Sequence, residues 1–455
     1  MHQLRYHLLC TRLCLATAFR VAMLLAALAV MAPGPGRAEP SDLPGPARVA
    51  LAKAARLIQD KAYDQAAEVL ETFQAGGGPF PGPEDDDPRG THHPQVYFAL
   101  GTCRLMQNAY GAAITAFEKA LQRDPDHIPS WLNLAQAAYG RQDYATAARG
   151  FAEAYARASV PDPTHLYSSA VALLMDRQYA PAIAAFDQLF ARHAAAVQPA
   201  WRENAVHALL SANQPRRALP HIRALAATAT GEKQVQWQEI LLHQYLELEM
   251  TKAARDLVLR LTREAPLRDK WWQALAHVAL HENHYEQALM AMTVVGFLRP
   301  LSERETRLVA DLHLQVGIPA KAAPLYAVAL KQDRDPRLLK NLVQALQQLG
   351  RFQEALDACQ QFAPDTNESE LLMTKADLLY ALERYAEAGQ AFRQAARVDR
   401  RRAGRAWLMA GYAALQIKDM AAGREALAKA ATFKGQRQAA LLAMRRLPDS
   451  GQQVR

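Results

Sequence analysis

From Pro94 onward, apolar and small residues recur at intervals of three and four, and the whole pattern then repeats. One copy opens Tyr97-x-x-Leu100-Gly101, runs through Tyr110-x-x-Ala113-x-x-x-Phe117-x-x-Ala120, and stops at Asp124-Pro125. The next begins Trp131-x-x-Leu134-Ala135 and continues Tyr144-x-x-Ala147-x-x-x-Phe151-x-x-Ala154, at an offset of 34 residues. Spacings of three and four set these side chains on one face of a helix, so each copy predicts two amphipathic helices joined by a turn. No alternating Val/Ile/Thr/Tyr run predicts a strand.

The residue opening each second helix gives a ruler along the chain. It falls at Tyr63, Tyr110, Tyr144, Tyr179, Pro215, Met250, Tyr285, Pro319, Phe352, Tyr385 and Met420. Three positions later stands an alanine, at Ala66, Ala113, Ala147, Ala182, Ala218, Ala253, Ala288, Ala322, Ala355 and Ala388, replaced by Gly423 in the last copy. A side chain kept that small marks the closest approach of two helices. Copies five, six and eight are the weakest, and Pro215 and Pro319 are expected at the start of their helices, where a missing N–H costs little. Trp131, Trp237, Trp272 and Trp407 share one opening slot and are expected to anchor the core.

This pattern resembles the tetratricopeptide repeat, W-x2-L-G-x2-Y…A-x3-F…P at a 34-residue period. The resemblance implies an all-α, right-handed superhelical solenoid of about eleven helix-turn-helix repeats, the first helix of each pair lining the inner surface. The first repeat, 47–73, and the last are degenerate, as terminal copies usually are. The array proper spans 94–437, and residues 438–455 read as a capping helix and tail. The one long interval places an insertion at 74–93, rich in Gly and Pro with Glu84-Asp85-Asp86-Asp87, which reads as a mobile acidic loop.

The beginning of the chain has a different character. Residues 1–20 are basic and free of acids, Val21–Ala32 is uninterruptedly apolar, and Gly36-Arg37-Ala38 offers small residues for cleavage. An apolar run of 12 residues is short for a membrane span, which takes about 20. Residues 1–38 therefore read as a signal peptide cleaved after Ala38, with 39–46 a flexible lead-in, and the expected location is the periplasm. An uncleaved leader would make it an anchor, and membrane contact is otherwise expected only through partners.

The net charge of +8 includes four leader arginines, leaving +4, which does not point to nucleic acid. Beyond the leader the only cysteines are Cys103 and Cys359, about seven repeats apart and expected as buried thiols rather than a disulfide.

With packing positions removed, the inward slots of repeats two to four hold Phe98, Thr102, Leu105, Met106, Leu132, Gln136, Tyr139, Tyr167, Val171, Leu174 and Met175. So apolar a row suggests a partner-binding groove, with packing between repeats as the other use of the same residues. In repeats seven to nine the slots turn basic, with Lys270, Arg304, Arg307, Arg337 and Lys340, a possible site for an acidic segment, and Arg397–Arg405 is a further basic run. The carboxylate clamp of chaperone-binding members is absent: Asn133 matches its central Asn, but Phe98, Thr102, Thr164 and Ser168 stand where its other polar residues belong.

His277 and His281 share a helix face with His284 just beyond, yet HExxH is missing, and no metal site is expected. No P-loop, GxGxxG, GxSxG or CxxCH occurs, so neither catalysis nor a cofactor is expected.

Certain stretches, VYFALG, HYEQAL, Gly317-Ile318-Pro319-x-Lys321-Ala322-Ala323 and Trp407-Leu408-Met409-Ala410-Gly411, are similar to the periplasmic repeat proteins that accompany TonB–ExbB–ExbD systems. That likeness implies a scaffold for a protein or peptide partner in the cell envelope, beside TonB-dependent outer-membrane transport. The competing expectation is a scaffold for envelope assembly, such as exopolysaccharide export or outer-membrane protein maturation.

Overall fold

The computed structural model describes residues 43–76, 87–364 and 368–447. Residues 1–38, read above as a signal peptide, the lead-in up to 42, the Gly/Pro-rich and acidic stretch 77–86 and the tail from 448 lie outside the described residues. Among the described residues all regular structure is helical, in two compact units, Met1–Glu249 and Met250–Arg455.

The first unit carries α1 (Gly45–Gln59), α2 (Tyr63–Ala75), α3 (Pro94–Met106), α4 (Tyr110–Arg123), α5 (Ile128–Gly140) and α6 (Tyr144–Arg157). It continues with α7 (Pro163–Met175), α8 (Tyr179–Arg192), α9 (Pro199–Ser211), α10 (Pro215–Thr228) and α11 (Gly231–Glu247). The second unit carries α12 (Thr251–Glu264), α13 (Asp269–His281), α14 (Tyr285–Leu298), α15 (Glu303–Gln315), α16 (Pro319–Gln332) and α17 (Pro336–Gln348). Its remaining helices are α18 (Phe352–Phe362), α19 (Ser369–Ala381), α20 (Tyr385–Val398), α21 (Ala403–Gln416), α22 (Met420–Ala431) and α23 (Arg437–Arg445). Odd-numbered helices up to α21 are the first helices of the repeats and even-numbered ones the second.

A single backbone device sets the repeat. Between first and second helices one residue adopts a left-handed conformation: Lys61, Asn108, Gln142, Arg177, Asn213, Glu249, Asn283, Gly317, Gly350, Glu383 and Lys418. At Asn108 the turn is closed by Asn108 N–H on Leu105 O and Ala109 N–H on Arg104 O, the Schellman pattern that satisfies the last carbonyls of a helix. The same pair of bonds recurs at Gln142, Arg177, Asn213, Asn283 and Glu383. Eleven such turns among the described residues match the expectation of about eleven repeats.

The turns also correct the register of the sixth copy. Every other second helix starts two residues after the left-handed residue; after Glu249 that is Thr251, not Met250. The fully buried alanine is accordingly Ala254, while Ala253 is only partly covered. The other nine alanines on the ruler are 0 % exposed, so each is a point where a larger side chain has no room. In the last copy a Cβ at Gly423 would stand 2.8 Å from Leu415 Cδ2, so that even a methyl there requires the leucine tip to shift.

The tryptophans are corrected by the same shift. Trp131, Trp272 and Trp407 do share a slot, but it lies at the edge of the core: all three are partly exposed, with Trp131 and Trp407 packed against buried residues. Trp131 and Trp272 instead donate Nε1–H to the carbonyls of Pro125 and Pro266, each at 2.8 Å, pinning the loop that enters the repeat. The buried tryptophans are Trp201, Trp237 and Trp271, one position earlier along their helices, and that is the core slot.

Other details follow local chemistry. Pro215 and Pro319 are the first residues of α10 and α16 as expected. The described end of the lead-in is packed rather than loose: Leu43 is buried, and Arg48 donates to its carbonyl. The described end of the insertion is also fixed, with the Asp87 carboxylate accepting from the backbone of Gly90, Thr91 and His92.

Candidate functional site

In the first unit, first helices of neighbouring repeats touch one another, α1 on α3, α3 on α5 and α7 on α9. Second helices do not approach one another to that extent, so the first helices form the crowded, inner side of the stack.

The eleven candidate residues of repeats two to four divide by burial. Leu105, Val171 and Leu174 are buried and serve packing; they offer a partner no surface. Phe98, Thr102, Leu132, Gln136, Tyr139, Tyr167 and Met175 are partly exposed, and Met106 is 41 % exposed. These eight reach the surface from α3, α5 and α7.

Their side chains are held in place. Phe98 meets the His127 ring edge-on at 5.0 Å and lies 6.1 Å from the buried Phe117. Thr102 Oγ1 donates to Phe98 O at 2.8 Å and accepts from Asn133 Nδ2 at 3.4 Å, so Asn133 is a buried inter-repeat brace rather than a ligand-facing amide. Tyr139 packs edge-on against Tyr144 at 5.2 Å. Tyr167 stacks on Trp201 with ring centres 5.0 Å apart and planes 17° from parallel. Its hydroxyl accepts from Asn204 Nδ2 at 2.7 Å, and burial pushes its pKa up.

Repeat five continues this face with Glu203 and Asn204, which the sequence reading did not include. Their slots correspond to Leu132 and Asn133, so extending the slot rule by one weak repeat would have found them. Glu203 is largely buried and faces Lys233 Nζ at 2.5 Å.

In the second unit the candidate cations are partly spoken for. Arg307 Nη2 lies 2.9 Å from Asp333 Oδ2; Lys340 Nζ lies 2.8 Å from Glu370 Oε2 and 3.0 Å from Glu368 Oε1. Those contacts hold the Lys340 ammonium above its ordinary pKa, Glu370 contributing most. Of the run Arg397–Arg405, Arg402 reaches Glu370 and Asp399, and Arg405 reaches Asp377 at 3.1 Å. Exposed pairs of this kind contribute roughly 0–1 kcal/mol each and mainly fix one repeat against the next. Lys270, Arg304 and Arg337 are exposed on the same helix slots.

His277 and His281 are exposed on α13, while His284 lies 3.5 Å from Glu282. Among the described residues no three His, Cys, Asp or Glu side chains converge as a metal site. Cys103 and Cys359 are free, buried thiols. No helix among the described residues is long and apolar enough to cross a membrane.

Two tetratricopeptide-repeat family models match the chain, one at residues 94–127 and the other at 309–369 and 373–440. Among curated proteins no sequence matches it significantly. Among solved structures it is similar to yeast Tom70 at 14% identity and a TM-score of 0.27, covering 88% of this chain and 94% of that one. It is also similar to MamA from Desulfovibrio magneticus RS-1, at 15% identity, 40% and 94% coverage and a TM-score of 0.31. A tetratricopeptide repeat protein from Parabacteroides merdae ATCC 43184 gives 12% identity, 66% and 98% coverage and a TM-score of 0.30. The repeat models and the recurring left-handed turns of the described residues point to the same architecture. The chain belongs to the tetratricopeptide-repeat superfamily, whose arrays are scaffolds for protein–protein interaction.

Proposed function

We propose that the chain is a periplasmic scaffold that holds a protein or peptide partner of the cell envelope on its first-helix face, beside TonB-dependent outer-membrane transport. The observation that carries the binding role is the row Phe98, Leu132, Tyr139 and Tyr167. These side chains are partly exposed on successive repeats and, for the three aromatics, fixed by neighbouring rings. Apolar groups that stay at the surface yet are already ordered lose little side-chain entropy when a partner covers them. The periplasmic location is supported by the basic, then apolar, then small-residue composition of residues 1–38. The TonB association is supported by sequence likeness.

A photo-crosslinking amino acid at Tyr139 in growing cells tests the reading. Crosslinks to a component of a TonB–ExbB–ExbD system, lost when Phe98, Leu132 and Tyr167 are changed to Ser, are expected. Crosslinks confined to polysaccharide-export or outer-membrane assembly proteins would keep the scaffold and replace the pathway. A phosphatase fused after residue 46 should be active only outside the cytoplasm, and an inactive fusion would overturn the periplasmic assignment.

A further inference from the structure

Two side chains of the first unit share one ring. Phe190, on α8, takes the His221 imidazole of α10 at 5.0 Å and the Arg202 guanidinium of α9 at 5.7 Å. The same ring belongs to a row of contacts that ends at the proposed binding face. Phe190 stacks on Phe186 with centres 6.2 Å apart, and Phe186 lies 6.4 Å from Tyr167. Tyr167 in turn stacks on Trp201, the residue before Arg202, so the row closes on itself through α9. Phe186 and Trp201 are 2 % and 4 % exposed, and neither can shift without its neighbours.

His221 is poorly placed to carry charge. Its Nδ1 is buried and meets no hydrogen-bond partner among the described residues. In the imidazolium both ring nitrogens are donors, so one N–H would be buried without an acceptor. The charges that face it are Arg202 from α9, Arg217 from its own helix and Asp187 from α8, and that carboxylate is already held by Arg217 Nη2 at 2.6 Å. From α11, Tyr245 reaches α10, its hydroxyl accepting from Arg223 Nε at 2.8 Å. His193, just after α8, is turned to α6 and lies 2.8 Å from the Tyr155 hydroxyl. Phe190 would favour a lone cation, but Arg202 already lies over that ring.

Burial, then the Arg202 charge, hold the imidazole below its ordinary pKa of 6.5, against the pull of Asp187. A base that titrates lower when folded stabilises through its neutral form. That contribution is whole above the unfolded pKa of 6.5, shrinks as pH falls below it, and is gone below the folded value.

We propose that His221 is an acid-sensitive latch on the partner-binding face. A proton taken from solvent by the imidazole sets a second cation beside Arg202, drives α9 and α10 off Phe190, withdraws Trp201 from Tyr167 and releases the partner. By linkage, a bound partner must in return oppose proton uptake at His221. The inference rests on the first-helix face being the place where the partner binds.

Hydrogen exchange on the purified full chain, read by mass spectrometry, tests the latch. His165 on α7 is also a buried imidazole, so only the difference between parent and a His221 variant isolates the group. Between about pH 7.5 and about pH 5.5, where histidine changes charge, α7, α8 and α10 should open more readily in the parent. The rise in their opening constants, corrected for intrinsic exchange, should be at least about threefold larger than in His221→Phe or His221→Gln, which take no proton. Two replacements are used so that a folding defect in one leaves the other. Arg202→Gln, which removes the neighbouring cation, should lessen the response. In cells, the photo-crosslink from Tyr139 should weaken in acid medium in the parent and hold in the His221 variants. An equal acid response in parent and His221 variants, or one confined to α10 while α7 stays closed, would overturn the latch. Crosslinks indifferent to pH would overturn the release step, whereas crosslinks absent at both pH values would overturn the binding reading itself.

Discussion

Asn204 donates its side-chain amide to the hydroxyl of Tyr167 at 2.7 Å, joining first helices of neighbouring repeats at the proposed binding face. Trp201, one helical turn before Ala205 and itself buried, supports the same ring from beneath. Asn204→Leu removes the donor and leaves the tyrosine hydroxyl without it. A loss of about 1 kcal/mol is expected in urea unfolding of the first unit. The near-ultraviolet signal of the Tyr167–Trp201 stack should change while helicity holds; an unchanged midpoint and spectrum would show that the amide positions nothing.

Gly101 makes a sharper prediction. A Cβ there would stand 2.6 Å from Cε1 of Phe117, a side chain 0 % exposed and so unable to move aside. Gly101→Ala should destabilise the first unit by roughly 1–3 kcal/mol despite the better helix propensity of alanine. A rise in melting temperature would mean that Phe117 can repack.

These two residues also show what was legible in the sequence. Gly101 and the ruler alanines are dictated by helix approach, so the repeat announces them, and the number of repeats was readable for the same reason. The sixth register was not, because α11 is 17 residues long and neither Met250 nor Thr251 carries the aromatic that marks other copies. The tryptophan slot was misread since an indole can either fill a core or lie over a loop and hydrogen-bond to it, and Trp271 and Trp272 do one each. The face was half legible. Leu105, Val171 and Leu174 share slots with exposed neighbours, and whether such a residue is covered depends on the size of side chains in the next repeat, which periodicity does not weigh.

Arg299 gives the second unit a dependence on acid. Its guanidinium bonds Asp269 Oδ2 at 2.7 Å and Glu305 Oε1 at 2.6 Å, and Ser302 N–H and Oγ–H both donate to Glu305 Oε2 at 2.8 Å. The Arg299 contact, then those of Ser302, hold the Glu305 carboxyl down to about 2 from 4.5. A carboxyl that titrates lower when folded contributes fully above its unfolded pKa, and the contribution fades as pH falls from 4.5 toward about 2. In Glu305→Gln that part of the acid sensitivity should be absent, while stability near neutrality drops by up to about 1 kcal/mol. Parallel pH profiles for parent and variant would show that the network does not sense pH.

The two thiols should be silent in the folded protein. Cys103 is 0 % and Cys359 2 % exposed, and burial pushes each thiol up to about 11. With the leader removed, a colorimetric thiol reagent at mildly alkaline pH should find no reactive group until denaturant is added, and then two. Rapid labelling of either cysteine in native protein would reveal local opening of its repeat.

The left-handed turns hold stability that the sequence has not claimed. Nine of the eleven use a residue with a side chain, among them Arg177 at φ 60°. For such residues this conformation costs roughly 1–2 kcal/mol, and glycine is free of most of it. Glycine also gains freedom in the unfolded chain, which returns part of the advantage. Arg177 is exposed, and its role in the turn is carried by the backbone: its N–H bonds Leu174 O at 3.0 Å and that of Gln178 bonds Leu173 O at 2.9 Å. Arg177→Gly should therefore stabilise the first unit, by up to about 1 kcal/mol. Gly350→Ala, at φ 70° in the equivalent turn, should destabilise the second by a similar amount. Opposite signs in thermal unfolding, with partner crosslinking unchanged in both, are the expected result; a destabilised Arg177→Gly would show that the arginine side chain, and not the turn, sets the energy there.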